Sequence, residues 1–385
     1  MEISPKNQLQ QEFASFQQDL SQYLEQDMQT EEVLLEKYFA TAYAAYQIAE
    51  MPIAMQYFTQ AKSLAEKHSP EDLYPATLAN LGLIHRYTGE FPEALPYFFQ
   101  AREIYQKTAN VRSEANQLGS IGVIYSSMGE LEKALQYETQ ALQKFVEIGD
   151  LQGQANQLGN IGIIHIRREE YTQALDYHQE ALLIAKQTGD SYGEASDLSN
   201  IGHIYKQQGR YEEALDCYRQ AFELFQQIGD SQSEANQLAS IGTIYQYQNQ
   251  VESALEYFKQ ALAIHTKLED IYGQANVLGN MGVLYRDQGN LDKALSCHQQ
   301  AYEIAKQIED IYGQIIDLGN MGLIYKQQGK PEKAINTLLD ALRIVEKKQV
   351  YQYKGKLCHN IADVFEQIGQ TEKATSFRNM AHSSE

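Results

Sequence analysis

The chain has 385 residues, of which 51 are Asp or Glu and 31 are Lys or Arg, so its formal net charge is −20. That acidity argues against general binding to nucleic acids or anionic membranes, because both need a cationic surface. The three cysteines, the absence of any apolar run near the roughly 20 residues of a membrane span, and an N-terminus without a signal-peptide pattern together predict a cytoplasmic protein with reduced thiols.

Residues 1–34 precede the repeated part of the chain. Apolar side chains recur there at helical spacing, at Leu9, Phe13, Phe16, Leu20 and Leu24. The pattern predicts a helix that caps the first repeat. The alternative is a segment that docks in the protein's own groove or on a second copy of the chain.

Residues 35–350 repeat with a period of 40 residues. One alanine column consists of Ala54, Ala94, Ala134, Ala174, Ala214, Ala254, Ala294, Ala334 and Ala374. A glycine column consists of Gly82, Gly122, Gly162, Gly202, Gly242, Gly282 and Gly322. A repeat in one register along almost the whole chain predicts a solenoid, in which each unit contacts mainly its neighbours.

The unit that begins at Asp150 shows the predicted helix pair most clearly. Asp150 is a good N-cap candidate, and the first helix should end near Glu169, where most other copies carry glycine. A second helix should run from about Tyr171 to Thr188, with Gly189 as its left-handed cap. The same N-cap phase holds Asn110, Asp190, Asp230, Asp270 and Asp310.

The small columns predict close helix packing. Gly162 and Ala174 should face each other inside one pair, where a larger side chain would push the axes apart. A glycine inside a helix costs roughly 1 kcal/mol relative to alanine, so its repetition indicates that close approach is required.

Residues 351–385 read as a degenerate ninth unit with Ala362 in the glycine column. Their polar end suits a solvent-facing terminal cap.

These features resemble the tetratricopeptide repeat over roughly residues 35–381. The resemblance is carried by Leu158, Ile161, Gly162, His165, Tyr171, Ala174, His178 and Ala181. It implies an all-α fold, a right-handed superhelix of about nine helix-turn-helix repeats whose first helices line a concave groove. The 40-residue period is similar to that of the Pins/LGN, kinesin light chain and bacterial Rap-like arrays.

Two asparagine rows fall on the predicted groove face, four residues apart. The first contains Asn116, Asn156, Asn236 and Asn276, and the second contains Asn160, Asn200, Asn280 and Asn320. Amide side chains both donate and accept hydrogen bonds, so such a ladder can hold the backbone of an extended peptide of any sequence. Small residues between the rows, such as Gly119 and Gly279, would let that backbone approach closely. Helix-to-helix packing is the alternative explanation of both features.

A basic row lies toward the end of the first helices: Arg86, Lys206, Arg286 and Lys326. These cations would attract an acidic segment, and Tyr247 would add an aromatic contact. The competing explanation is local, because cations in the last turn of a helix are favoured by its dipole.

Catalytic and metal-binding patterns are absent from the sequence. It has no phosphate-binding glycine loop, no HExxH and no CxxC. Histidines such as His178 and His298 occupy columns filled elsewhere by Tyr or Phe, as packed residues do. We therefore expect no enzyme activity, no cofactor and no metal.

The sequence therefore predicts an adaptor or scaffold that binds a protein or an extended, acidic peptide in its groove. A peptide-sensing receptor similar to Rap proteins is one alternative, although only about 34 residues precede the array where those proteins usually carry an output domain. Self-assembly into a homo-oligomer through residues 1–34 is the other.

Overall fold

The computed structural model describes residues 5–25, 30–69 and 71–382. Two of the predictions concern residues outside these ranges. They are the N-terminus without a signal-peptide pattern and the last three residues of the polar C-terminal end.

The chain divides into two compact units, residues 1–193 and residues 194–385. Unit 1 contains α1 (Pro5–Leu24), α2 (Glu31–Gln47), α3 (Met51–His68), α4 (Leu73–Tyr87), α5 (Phe91–Lys107), α6 (Val111–Ser127), α7 (Leu131–Glu147), α8 (Leu151–Arg167) and α9 (Tyr171–Thr188). Helix α10 (Ser191–Gln207) lies almost entirely in unit 2. Unit 2 continues with α11 (Tyr211–Ile228), α12 (Ser231–Tyr247), α13 (Val251–Lys267), α14 (Ile271–Asp287), α15 (Leu291–Gln307), α16 (Ile311–Gln327), α17 (Pro331–Lys348), a short 3-10 helix (Tyr351–Tyr353), α18 (Lys354–Gln367) and α19 (Thr371–His382).

From α2 onward, each even-numbered helix packs against the odd-numbered helix that follows it. We call the even-numbered member the first helix of its pair. Within each unit the pairs also pack on one another in chain order. The described residues thus confirm the predicted all-α solenoid of helix pairs.

The helix ends follow the predicted capping chemistry. The side chain of Asp150 accepts the N–H of Gly153 at 3.1 Å, which satisfies one amide of the first turn of α8. Equivalent caps are made by Asn110, Asp190, Asp230, Asp270 and Asp310. Helix α9 has the predicted bounds, and Gly189 follows it with a φ of 72°. Glu169 takes up the same left-handed conformation with a φ of 59°, although it carries a side chain.

The glycine column lies against the second helix, and its nearest contact at Gly162 is a side chain that the sequence reasoning did not name. A Cβ on Gly162 would lie 2.6 Å from Nε2 of His178, and Ala174 is not its nearest neighbour. Side chains in a helix lean toward its N-terminus, so His178 covers the turn that precedes it and reaches Gly162. The side chain sixteen residues after the glycine therefore covers it, and the alanine column lies close by, since a Cβ on Gly242 would lie 3.3 Å from the carbonyl oxygen of Ala254.

Helix α1 packs against α2 in unit 1. Phe13 and Leu20 are buried, and the hydroxyl of Thr41 lies 3.4 Å from the carbonyl oxygen of Phe16. Phe16 and Leu24 remain exposed. The segment predicted as a cap thus contains a packed helix, and its capping role stays a prediction.

Candidate functional site

Both predicted asparagine rows lie on first helices and reach the surface. Asn116, Asn156, Asn236 and Asn276 are exposed, whereas Asn160, Asn200, Asn280 and Asn320 are half-buried. The rows are one helical turn apart, so their side chains are neighbours on each helix.

In unit 1 one of these amides turns inward. Nδ2 of Asn160 lies 3.4 Å from both carboxyl oxygens of Glu138, which is fully buried. Burial raises the pKa of Glu138 to about 8, although the bond from Asn160 acts in the opposite direction. Asn160 on α8 therefore contacts a buried side chain of α7.

In unit 2 four of the predicted asparagines line cavities, whereas Asn200 lines none of the cavities described below. We use the name first-helix face for the surface formed by α12, α14, α16 and α18. A cavity of about 380 Å³ between α12 and α14 includes Lys206 and Asn236, and one of about 500 Å³ between α14 and α16 includes Asn320. The two cavities share Asn276 and Asn280, so these amides are accessible from both.

Two further cavities continue this path along the first-helix face. A small one of about 90 Å³ between α16 and α18 shares Ile316 and Asn320 with the cavity before it. A cavity of about 770 Å³ follows, lined by Leu323 together with charged side chains such as Lys326 and Asp363. Consecutive cavities share lining residues, so the depressions adjoin along the face.

The asparagines of unit 2 use only part of their hydrogen-bonding capacity. Asn280 donates from Nδ2 to Oδ1 of Asn276 at 3.3 Å, and Asn320 accepts from Arg286 at 3.3 Å. Each amide has two N–H groups and an oxygen with two lone pairs, so capacity for a ligand remains after these bonds are made.

The four predicted cations do not behave alike. Arg286 pairs with Asp287 at 3.1 Å, and Lys326 pairs with Asp363 at 3.5 Å. Within the part of the chain that the structure describes, Arg86 and Lys206 have no carboxylate within 4.0 Å. Burial lowers the pKa of the half-buried Lys206 ammonium, which lines the cavity of about 380 Å³. The basic row thus offers one unpaired cation on the unit 2 cavities.

The aromatic residues that line the cavities of unit 2 do not include Tyr247, the aromatic contact that the sequence predicted. Tyr247 stacks on Tyr211 at a centroid distance of 5.7 Å, and it lines none of the four cavities described above. Tyr272 and Tyr312 line the cavity of about 500 Å³ with exposed rings, and the sequence reasoning missed them. Their signal was their common phase, 40 residues apart and just after an Asp N-cap.

The same cavity has a buried polar pair behind it. Nδ1 of His298, on α15, lies 2.8 Å from a carboxyl oxygen of Asp317, on α16. Both side chains are buried, and Asp317 also lines the cavity. Burial raises the pKa of Asp317, while the bond to His298 lowers it. A histidine in an aromatic column followed by an aspartate nineteen residues later was the signal for this pair.

Packed helix pairs that repeat along the chain define a helical repeat protein. The tetratricopeptide repeat model matches residues 73–145, 154–227, 196–267 and 273–347, which together make up more than half of the chain. The chain therefore belongs to the tetratricopeptide repeat family. No curated protein matches it at a significant level.

Several solved structures share this fold at low sequence identity. The apo form of the quorum sensor NprR from B. thuringiensis is 14% identical, covers 91% of this chain and 98% of its own, and has a TM-score of 0.65. A Rap protein complexed with Competence and Sporulation Factor is 17% identical, covers 92% and 98%, and has a TM-score of 0.55. A STAND protein with a tetratricopeptide repeat sensor from Pyrococcus horikoshii is 17% identical, with a TM-score of 0.68, and the match covers 94% of this chain but 53% of that one.

None of the described helices combines enough length with enough apolar character to cross a bilayer.

Proposed function

We propose that the first-helix face of unit 2 binds an extended peptide segment of a partner protein, and that the protein acts by binding and not by catalysis. The observation that carries the proposal is the run of adjoining cavities in which neighbouring cavities share Asn276, Asn280 or Asn320. Repeat solenoids commonly present such elongated surfaces to their partners.

The amides would hold the peptide by its backbone. An extended peptide exposes an N–H and a carbonyl at every residue, and asparagine can bond to both. Gly279 and Gly319 support this contact, because a Cβ at either position would meet no atom closer than 3.6 Å. Affinity would then depend little on peptide sequence, and the cavities between the helices would supply specificity.

A peptide-sensing role is the second candidate. It is favoured by the common fold with the quorum sensor NprR and with the Rap protein bound to Competence and Sporulation Factor. A sensor should change its shape on binding, whereas an adaptor need not. Small-angle scattering of the chain with and without a bound peptide separates the two, since only a sensor gives a ligand-dependent radius of gyration.

Peptide selection from a displayed library of short proteome fragments tests the main proposal. The test variant replaces Asn236, Asn276 and Asn280 with alanine, a better helix former than asparagine. The control variant replaces Asn116 and Asn156, which occupy the first row in unit 1. Peptides selected by the wild type should bind the test variant at least tenfold more weakly and the control unchanged. Equal binding by all three proteins would place the site elsewhere.

We also propose that residues 1–34 cap the first pair through the buried side chains of α1. Deleting residues 1–29, which leaves α2 and its N-cap Thr30 intact, should expose the face of α2 that packs on α1 and lower the unfolding midpoint of unit 1. Light scattering of the full chain and of the deletion variant distinguishes this role from self-assembly, which requires a concentration-dependent mass that is lost with the segment.

A further inference from the structure

The cavity between α14 and α16 has aromatic walls. The rings of Tyr272 and Tyr312 border its volume of about 500 Å³, and Val283 and Ile316 add aliphatic surface. Both tyrosines are at least half exposed, and the ring of Tyr312 also contacts that of Tyr353 at a centroid distance of 6.0 Å. A long side chain from a bound peptide could lie between these surfaces.

Carboxylates are the charged groups of this cavity. Among the described residues that line it, Asp310 and Asp317 are acidic, and none is Lys, Arg or His. Its neighbour between α12 and α14 is lined by Lys206 as well as by Asp270, so the two cavities differ in net charge. An ammonium or guanidinium group therefore fits the cavity between α14 and α16 electrostatically. The net charge of −20 on the chain favours the approach of such a group.

Both carboxylates are held in place by the protein. Asp310 accepts the N–H of Tyr312 at 3.0 Å, and the side chain of Asp317 is 8% exposed and bonded to Nδ1 of His298. Nε2 of His298 is buried without a hydrogen-bond partner among the described residues. The contact with Nδ1 places the Asp317 carboxyl between the ring of His298 and the cavity. A buried carboxylate is costly unless a cation pairs with it.

We propose that this cavity accepts a lysine or arginine side chain of the bound peptide, with Asp317 and Asp310 as its counter-charges and Tyr272 and Tyr312 against its aliphatic stem. The proposal rests on peptide binding by the first-helix face and adds its specificity. The basic row predicted an acidic peptide, whereas at this cavity we expect a basic side chain of the peptide.

Positional peptide pools test this specificity. Each pool contains extended peptides of Ala, Ser and Gly with one position fixed as Arg, Lys, norleucine or Glu, and its affinity is measured by fluorescence anisotropy. The wild type should bind the Arg and Lys pools at one position at least tenfold more tightly than the norleucine pool. That preference should weaken as salt is raised, because it is electrostatic.

Three aspartate variants complete the experiment. Asp310→Asn keeps a good N-cap while removing one charge, and Asp230→Asn makes the same change on α12, outside this cavity. Asp317→Asn removes the second charge, and its fold is checked by circular dichroism. The basic preference should fall at least fivefold in the Asp310 or Asp317 variant and stay unchanged in the Asp230 variant.

Each other outcome has a distinct meaning. Peptides that bind without a basic preference, or a preference that survives both cavity variants, would overturn this inference and leave peptide binding intact. Failure of every pool to bind the wild type would overturn the proposed function as well.

Discussion

Gly119 in unit 1 and Gly279 in unit 2 occupy the same column of the repeat but have different surroundings. A Cβ on Gly119 would lie 2.8 Å from Oε1 of Gln157, whereas a Cβ on Gly279 would meet only an oxygen of Asp317, at 4.0 Å. The asparagine row differs in the same way, since Asn160 bonds to buried Glu138 and Asn280 lines two cavities. Repeat phase therefore predicts where a side chain lies, but not whether it serves packing or a ligand.

The largest predicted effect is on the free energy of unfolding, and it concerns Glu138, the buried partner of Asn160 in unit 1. Its folded pKa of about 8 lies above the ordinary value of 4.5, so its contribution to stability is complete below pH 4.5 and is lost as the pH rises through 8. The loss should be about 3–5 kcal/mol, at roughly 1.4 kcal/mol for each pKa unit. Urea unfolding at pH 5 and pH 8 should show this decline in the wild type and much less of it in Glu138→Gln, which is then the more stable protein at pH 8.

Glu114 provides the matched control for that experiment. It is also buried in unit 1, but it pairs with Lys144 at 2.8 Å and approaches Arg102 at 3.8 Å. Glu114→Gln should therefore destabilise the chain, because it leaves two cations without their carboxylate. An identical pH dependence in the wild type and in Glu138→Gln would show that Glu138 is not the buried acid responsible.

The two glycines give the second test. Gly119→Leu forces a side chain into a buried contact between helices and should cost roughly 1–3 kcal/mol. Gly279→Leu places the same side chain in an open cavity, where leucine's better helix propensity should leave stability unchanged or raise it by up to about 1 kcal/mol. The cavity variant should nevertheless lose peptide binding, because the new side chain occupies the ligand's path. Thermal unfolding and anisotropy measure the two effects separately.

A different pattern of results would remove the contrast. If both glycine variants lost stability equally, the column would serve packing in both units. If Gly279→Leu kept its affinity for the selected peptides, the cavity between α14 and α16 would not be part of the binding face.

The sequence predicts the local features of this fold well. The bounds of α9 and its cap at Gly189 follow from side chains within a few residues of each helix end. The contact of Gly162 with His178 and the pair formed by Lys326 and Asp363 were not predicted, because they depend on how two helices cross. A residue that departs from its repeat column also cannot be predicted from that column. Glu138 is an example, because most equivalent positions hold Phe, Tyr or His.

The smallest effect distinguishes two cations near the ends of first helices. Arg167 in unit 1 donates to Oγ of Ser126 at 2.9 Å and also to the carbonyl oxygen of Ser126, in the last turn of α6. Its side chain thus binds the C-terminal turn of the neighbouring helix α6. Arg167→Met should lower stability by roughly 0.5–1.5 kcal/mol, the usual net contribution of such hydrogen bonds.

Lys206 in unit 2 should respond in the opposite direction. Its half-buried ammonium has a lowered pKa and, among the described residues, no carboxylate partner, so folding bears a small cost for its charge. Lys206→Met should leave the unfolding midpoint unchanged or slightly raised, and it should weaken binding only of peptides that place an acidic residue in the cavity between α12 and α14. A loss of stability equal to that of Arg167→Met would mean that both cations serve the fold. Unchanged stability with weaker binding of acidic peptides would assign Lys206 to the ligand.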